Sequence, residues 1–140
     1  MKKVLFGGFF DIIHSGHLMS IDDAQKYGDW LIINVSPDKR AREKKGPGRP
    51  FMSIKERMFN VSHIKGVDEV VSIDAEDNMT PTEYIKKTIL ETKPDVLICS
   101  VDSDEIGEYC RLNGVKLVRV PEIIGIDGLH STDIINKINS

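Results

Sequence analysis

The sequence predicts an α/β protein: a single three-layer α/β/α sandwich on a five-stranded, mainly parallel sheet. Two observations carry this. Five short apolar runs are nearly continuous instead of alternating, the pattern of parallel strands covered on both faces. Helical patterns lie between them, so strand and helix alternate along the chain. The right-handed crossover rule then leaves few topologies, and the arrangement is Rossmann-like.

The runs come in order. Val4-Leu5-Phe6 is the first strand and Leu31-Ile32-Ile33-Asn34-Val35 the second. Glu69-Val70-Val71-Ser72, Val96-Leu97-Ile98-Cys99 and Lys116-Leu117-Val118-Arg119-Val120 complete the set. Leu18, Ile21 and Ala24 recur at helical spacing before Gly28. Ser53-Ile54-Lys55-Glu56 has the form of a capping box, a serine that accepts from the third backbone N–H and a glutamate that reaches back. Thr80-Pro81-Thr82-Glu83 repeats the device with proline at the first helical position, where its missing N–H does no harm. Ser103 to Asn113 is a further helix, closed by Gly114, and Ser131 to Ile138 is the last.

The 140 residues are the length of one domain, expected to span 1–140. A net charge of −3 argues against bulk attraction to nucleic acid or anionic membrane. Met1-Lys2-Lys3 followed by Val4-Leu5-Phe6 is charged then apolar, but the apolar stretch breaks at Gly7-Gly8 and is too short for a signal peptide. No run approaches the roughly 20 apolar residues of a membrane span. Cys99 and Cys110 are not a C-x-x-C pair and read as structural thiols of a reduced, cytoplasmic protein.

The chemistry concentrates after the first strand, in Gly7-Gly8-Phe9-Phe10-Asp11-Ile12-Ile13-His14-Ser15-Gly16-His17. Ligands of open parallel sheets bind beyond the carboxyl ends of the strands. Glycines there let backbone approach a phosphate, and the helix that follows offers free N–H groups and the positive end of its dipole. His14 and His17 are three apart, so on a helical turn they share a face and can donate to one polyphosphate. A second candidate is the stretch from Lys39 to Arg57. It holds eight basic residues (Lys39, Arg40, Arg42, Lys44, Lys45, Arg49, Lys55, Arg57) against Glu43 and Glu56, with Gly46, Pro47, Gly48 and Pro50 inside it. This reads as a mobile basic loop running into a helix.

Gly8-Phe9-Phe10-Asp11-Ile12-Ile13-His14-Ser15-Gly16-His17 resembles the G-x-F-D-x-x-H-x-G-H signature of the cytidylyltransferase-like nucleotidyltransferases. The resemblance runs along most of the chain. Tyr27-Gly28-Asp29-Trp30-Leu31-Ile32 is similar to the family's L-G-D-x-L-I segment, and Gly66-Val67-Asp68-Glu69-Val70-Val71 to its V-D-x-V-V strand approach. Lys45-Gly46-Pro47-Gly48-Arg49-Pro50 and Glu56-Arg57-Met58 resemble a stretch of the adenylyltransferase domain of ADP-heptose synthases, enzymes of lipopolysaccharide core biosynthesis. Asp127 to Ile135 resembles the carboxyl-terminal D-G-x-S-T-T-x-I-I motif.

The resemblance implies transfer of AMP from ATP to a phosphorylated small molecule, a sugar phosphate first among the candidates, with release of pyrophosphate. It implies a divalent cation such as Mg²⁺ accompanying the triphosphate, with Asp11 as a possible helper, and a homodimer. By the same resemblance His14, His17 and Lys45 are the catalytic groups. Gly8, Phe9, Phe10, Gly16, Arg57, Asp102, His130, Ser131 and Thr132 join them in binding the nucleotide, Arg57 either on phosphate or as support for the loop, and Lys44 is a substitute for Lys45. Phe9 stands where relatives usually carry threonine or valine, and His130 replaces a hydroxyl. The arginine of the glycerol-3-phosphate cytidylyltransferase motif is missing, with Glu122 and Ile123 in its region, which tilts the reading from CTP toward ATP. Cytidylyl transfer to a polyol or amino-alcohol phosphate and adenylyl transfer to FMN are the alternatives. A nucleotide-binding regulatory module without turnover is the alternative outside enzymology.

Overall fold

A computed structural model describes residues 1–101, 103–121 and 131–139 of the protein. The elements run β1 (Lys3–Gly8), α1 (Ser15–Ala24), a short 3₁₀ turn (Gln25–Tyr27), β2 (Trp30–Val35), α2 (Asp38–Lys45), α3 (Ile54–Ser62), β3 (Glu69–Val71), α4 (Pro81–Thr92), β4 (Val96–Cys99), α5 (Asp104–Leu112), β5 (Lys116–Arg119) and α6 (Ser131–Asn139). The strands form one sheet in the order β3-β2-β1-β4-β5, and every pairing is parallel.

Strand alternation divides the core into two. Val4, Phe6, Ile33 and Ile98 pack with Ile21 and Ala24 of α1 and Val61 of α3. Leu5, Ile32, Leu97 and Cys99 pack on the opposite side with Ile89 of α4 and with Ile106 and Cys110 of α5. Helices therefore cover both faces, which is why the strands read as continuous apolar runs. Cys99 and Cys110 are buried free thiols, and burial pushes both above the usual thiol range.

The helix ends match their local chemistry. Thr80 and Glu83 form a reciprocal capping box at α4, with Pro81 in its first turn. Ser53 caps α3 by accepting from the Glu56 N–H. The chain folds outward from β1 in both directions, β2 and β3 to one side and β4 and β5 to the other. The crevice between β1 and β4 is thus the topological switch point where α/β sheets bind ligands.

One expectation is corrected. The basic stretch is not a loop throughout, because residues 38–45 form α2. Asp38 lies in the first turn and Arg42, Lys44 and Lys45 in the last, each with the sign that the helix dipole favours. Gly46 ends the helix at φ +96°, a conformation that side chains rarely adopt. Long-range contacts hold α2 down: Lys39 pairs with Asp77 at 2.6 Å, the Asn78 N–H donates to Glu43 at 3.2 Å, and the Arg40 guanidinium stacks on the Tyr84 ring at 4.2 Å.

Candidate active site

A cavity of about 500 Å³ opens beyond the carboxyl ends of β1, β2 and β4. The glycine-rich turn after β1 forms its floor. Gly8 leaves little room for a side chain, since a Cβ there would stand 3.1 Å from the Phe10 ring. Phe10 adopts a left-handed backbone (φ +51°), and its side chain is buried against Phe6 and His17, with ring centroids 5.9 and 5.4 Å away. Strain of this kind persists only where packing over-determines it. Among the described residues, no acceptor meets the backbone N–H of Phe9 or Phe10.

The two histidines are built into the start of α1. His14 is the N-cap residue, and its Nδ1 accepts from the Gly16 N–H at 3.1 Å. His17 stands at the third helical position, and its Nδ1 accepts from the His14 N–H at 3.1 Å. This is a capping box made from two imidazoles in place of a hydroxyl and a carboxylate. It has a chemical consequence. A ring nitrogen that accepts from an amide carries no proton, so each neutral ring must carry its proton on Nε2. His17 therefore carries an Nε2–H donor, and both rings line the cavity. The ring centroids are 4.2 Å apart, so the donors belong to one small region. His17 is buried, and desolvation, aided by His14 and then Lys45, lowers its pKa to about 4. It is a neutral donor at physiological pH.

Facing the histidines is the end of α2. Lys44 and Lys45 line the cavity, and the Lys45 ammonium lies 4.8 Å from the centre of the Phe9 ring. Phe9, unusual by its resemblance, is here a platform for that cation. Burial lowers the Lys45 pKa, and Arg49 and Lys44 add to the effect against Asp11. The cavity thus carries concentrated positive potential beside free amide donors, an environment suited to polyphosphate.

Asp11 secures this wall. Its Oδ2 accepts from the Phe51 N–H at 2.7 Å and from Arg49 Nε at 3.1 Å, and its Oδ1 from the Met52 N–H at 2.8 Å. The carboxylate ties the loop after α2 to the turn after β1, and both its oxygens are engaged. No group of three or more metal-ligating side chains occurs among the described residues.

Residues 5–137 match the family described as Cytidylyltransferase-like. The chain belongs to that family. A FAD synthase from Ferroglobus placidus is 35% identical over 144 residues, covering 99% of this chain and 88% of the relative. The bifunctional protein HldE of Aeromonas hydrophila is 39% identical over 141 residues, covering 98% of this chain but 28% of the relative. The chain thus spans little more than a quarter of the HldE proteins it matches. A lipopolysaccharide core biosynthesis protein from Thermoplasma volcanium superimposes with a TM-score of 0.72 at 30% identity, over 87% of this chain and 98% of that one. A pantothenate synthetase from Thermus thermophilus, at 14% identity and a TM-score of 0.68, shares the fold.

In this cytidylyltransferase-like chain, Gly8, Phe9, Phe10, His14, His17, Lys44, Lys45 and Thr132 all line the one cavity. Gly16 does not; its N–H is spent on the His14 cap. Of the two roles expected for Arg57, on phosphate or as support for the loop, its contacts fit the second. It is fully buried, and its guanidinium donates to the carbonyls of Met52, Phe9 and Ser36 and pairs with Asp38. It joins the turn after β1, the end of β2 and the start of α2 from beneath, so it supports the loops that form the site. Asp102 and His130 lie outside the described residues, as does the Ser131 side chain. Arg40 of the basic stretch lines the cavity too, and Asn34, Ser36, Tyr84 and Thr88 do so without having been singled out. Asn34 carried a readable signal, a lone amide in an apolar strand. Tyr84 and Thr88 carried none, because only the docking of α4 brings them there.

Proposed function

We propose that this chain is a nucleotidyltransferase that moves a nucleoside monophosphate, AMP in preference to CMP, from its triphosphate to a phosphorylated small molecule. The observation that carries the reading is the imidazole capping box: it fixes two Nε2–H donors beside the lysines of α2 at the switch point of a parallel sheet. Membership of the cytidylyltransferase-like family supports it. The preference for AMP rests on Glu122 and Ile123 standing where a cytidylyltransferase arginine is expected, and on the FAD synthase among the relatives, whose named product contains adenosine.

In this reading a phosphate oxygen of the acceptor attacks the α-phosphorus in line. A new P–O bond forms, the α–β bridging bond breaks, and its electron pair leaves with pyrophosphate. A phosphomonoester is largely dianionic at neutral pH, so the attacking oxygen needs no base. Catalysis is then positioning plus stabilisation of spread negative charge. The Phe9 and Phe10 amides hold the nucleotide phosphates. His14 and His17 donate from Nε2 to the α- and β-phosphates as charge moves to the leaving group. Lys45, with Lys44 beside it, neutralises the triphosphate, and Thr132 adds a hydroxyl from the start of α6. A divalent cation would accompany the triphosphate and help to neutralise its phosphates.

Pyrophosphate release with ATP and with CTP, each against a panel of phosphorylated acceptors and Mg²⁺, tests the proposal. ATP-dependent release that requires a phosphorylated acceptor is expected. Binding of neither triphosphate would overturn it, and triphosphate binding without release for any acceptor would favour a regulatory module.

A further inference from the structure

An ammonium that is to meet a triphosphate has to be held in place without being neutralised. A carboxylate partner would hold it but cancel its charge, and a lysine left to water spreads over many rotamers. Lys45 does neither. It ends α2 and is exposed overall, with its ammonium turned in over the cavity. It makes no ion pair or hydrogen bond among the described residues. Asp11 is the carboxylate close enough to act on it, and both Asp11 oxygens are taken by Arg49 and by the Phe51 and Met52 amides.

What meets the ammonium is the Phe9 ring. Lys45 Nζ lies 4.8 Å from the ring centre and Lys44 Nζ 5.9 Å from it. Both fall inside the roughly 6 Å reach of a cation–π contact, Lys45 well inside it. The ring stands on a fixed base. The Phe9 carbonyl accepts from the fully buried Arg57 at 2.8 Å, and Phe10 beside it is locked in the core, while Phe9 stays half-buried in the cavity wall. The lysine stands on a fixed base too. Lys39 with Asp77 and Arg40 on Tyr84 hold α2 down, and the Gly46 amide closes the helix on the Arg42 carbonyl at 2.9 Å. An ammonium has three N–H donors, so it can keep the ring on one side and meet phosphate oxygens on the other. Threonine and valine, which relatives usually carry at this position, offer no π face.

We propose that the Phe9 side chain is a positioning residue: it holds the Lys45 ammonium at the triphosphate wall of the cavity and thereby tightens nucleotide binding. This rests on the transfer reading above and gives the ring a role apart from that of its backbone amide. The expected gain is about fivefold in affinity, the scale of one cation–π contact partly open to water.

The test needs no turnover. Calorimetry with Mg²⁺ and α,β-methylene ATP compares wild type, Phe9→Tyr, Phe9→Leu, Lys45→Met and the double variant Phe9→Leu/Lys45→Met. Tyrosine keeps the π face, and leucine keeps apolar bulk without it. Phe9→Leu is expected to weaken the analogue about fivefold, Phe9→Tyr to stay within about twofold of wild type, and Phe9→Leu to add less than about twofold once Lys45 is methionine. Proton NMR of the nucleotide-free protein gives a second readout. The Lys45 ε-methylene signals, identified by their loss in Lys45→Met, should lie upfield under the ring in wild type and Phe9→Tyr, and at the ordinary lysine position in Phe9→Leu. Equal affinity of wild type and Phe9→Leu overturns the inference and leaves the transfer reading standing. A loss that persists in full in the Lys45→Met background overturns the link to Lys45. Ordinary ε-methylene positions in wild type overturn the contact itself. If the analogue does not bind wild type, the transfer reading fails and takes the gain in affinity with it, and the NMR signals alone decide whether the ring holds the lysine. Thermal melts establish that the variants are folded, and Phe9→Thr replaces Phe9→Leu should the latter not fold.

Discussion

His14 separates the structural and chemical roles of the imidazole pair. As N-cap of α1 it satisfies one orphan amide through Nδ1. Asparagine is among the best N-cap residues, and its Oδ1 can accept the same bond, whereas alanine cannot. His14→Ala is therefore expected to cost about 1 kcal/mol of stability, a fall of about 4 °C in Tm for a chain of this size. His14→Asn is expected to regain most of that. Neither variant presents the ring Nε2–H, so both should lose on the order of 100-fold in kcat/KM, the usual cost of removing one preorganised donor from developing charge. The assay is a thermal melt paired with pyrophosphate release for wild type and both variants. Equal Tm for the alanine and asparagine variants would show that Nδ1 is not a cap. Near-normal turnover in His14→Asn would show that the ring is dispensable, and the reasoning would fail at its chemical step.

Other consequences follow from the same geometry. His17 has a folded pKa of about 4 against 6.5 when unfolded, so its contribution to stability is complete above pH 6.5 and is lost as pH falls toward 4. The loss amounts to about 3 kcal/mol. Urea unfolding at pH 7 and pH 4 should show it, and His17→Gln, which keeps a capping-box side chain, should flatten the profile. Lys45→Met removes a cation whose pKa burial and neighbouring positive charge depress. It is expected to slow transfer by about 100-fold and to leave the melt unchanged or raise it, by at most about 1 kcal/mol; a large fall in Tm would contradict the crowding described. Asp11→Ala removes the acceptor of three bonds that hold residues 49–52. It should destabilise by about 3 kcal/mol and open the loop to limited proteolysis, and wild-type resistance would contradict the clamp.

The fold was legible because burial wrote it locally. Strands covered on both sides show as unbroken apolar runs, and the Ser53 and Thr80 caps mark helix starts within four residues. The two imidazoles were legible as a pair, but their geometry was not: His14 is a cap, outside the helix, and only its extended backbone turns Nδ1 to the Gly16 amide. Helix α2 leaves little trace in the sequence because almost no apolar stripe marks it. What holds it are partners distant in sequence, Asp77, Asn78 and Tyr84, and local patterning carries no trace of those. Arg57 illustrates the same limit. A buried arginine that donates to three carbonyls and a surface arginine that binds phosphate are the same letter in the chain.

The most direct test of the account is a nitrogen-15 NMR determination of the tautomers of His14 and His17, followed by titration with Mg²⁺ and ATP. Both rings should show Nε2–H with unprotonated Nδ1 at pH 7.5, and the Nε2 signals should shift on nucleotide binding while the Nδ1 signals hold. A proton on Nδ1 of either ring, or Nε2 signals indifferent to saturating nucleotide, would contradict the claim that the capping box aims these donors at phosphate.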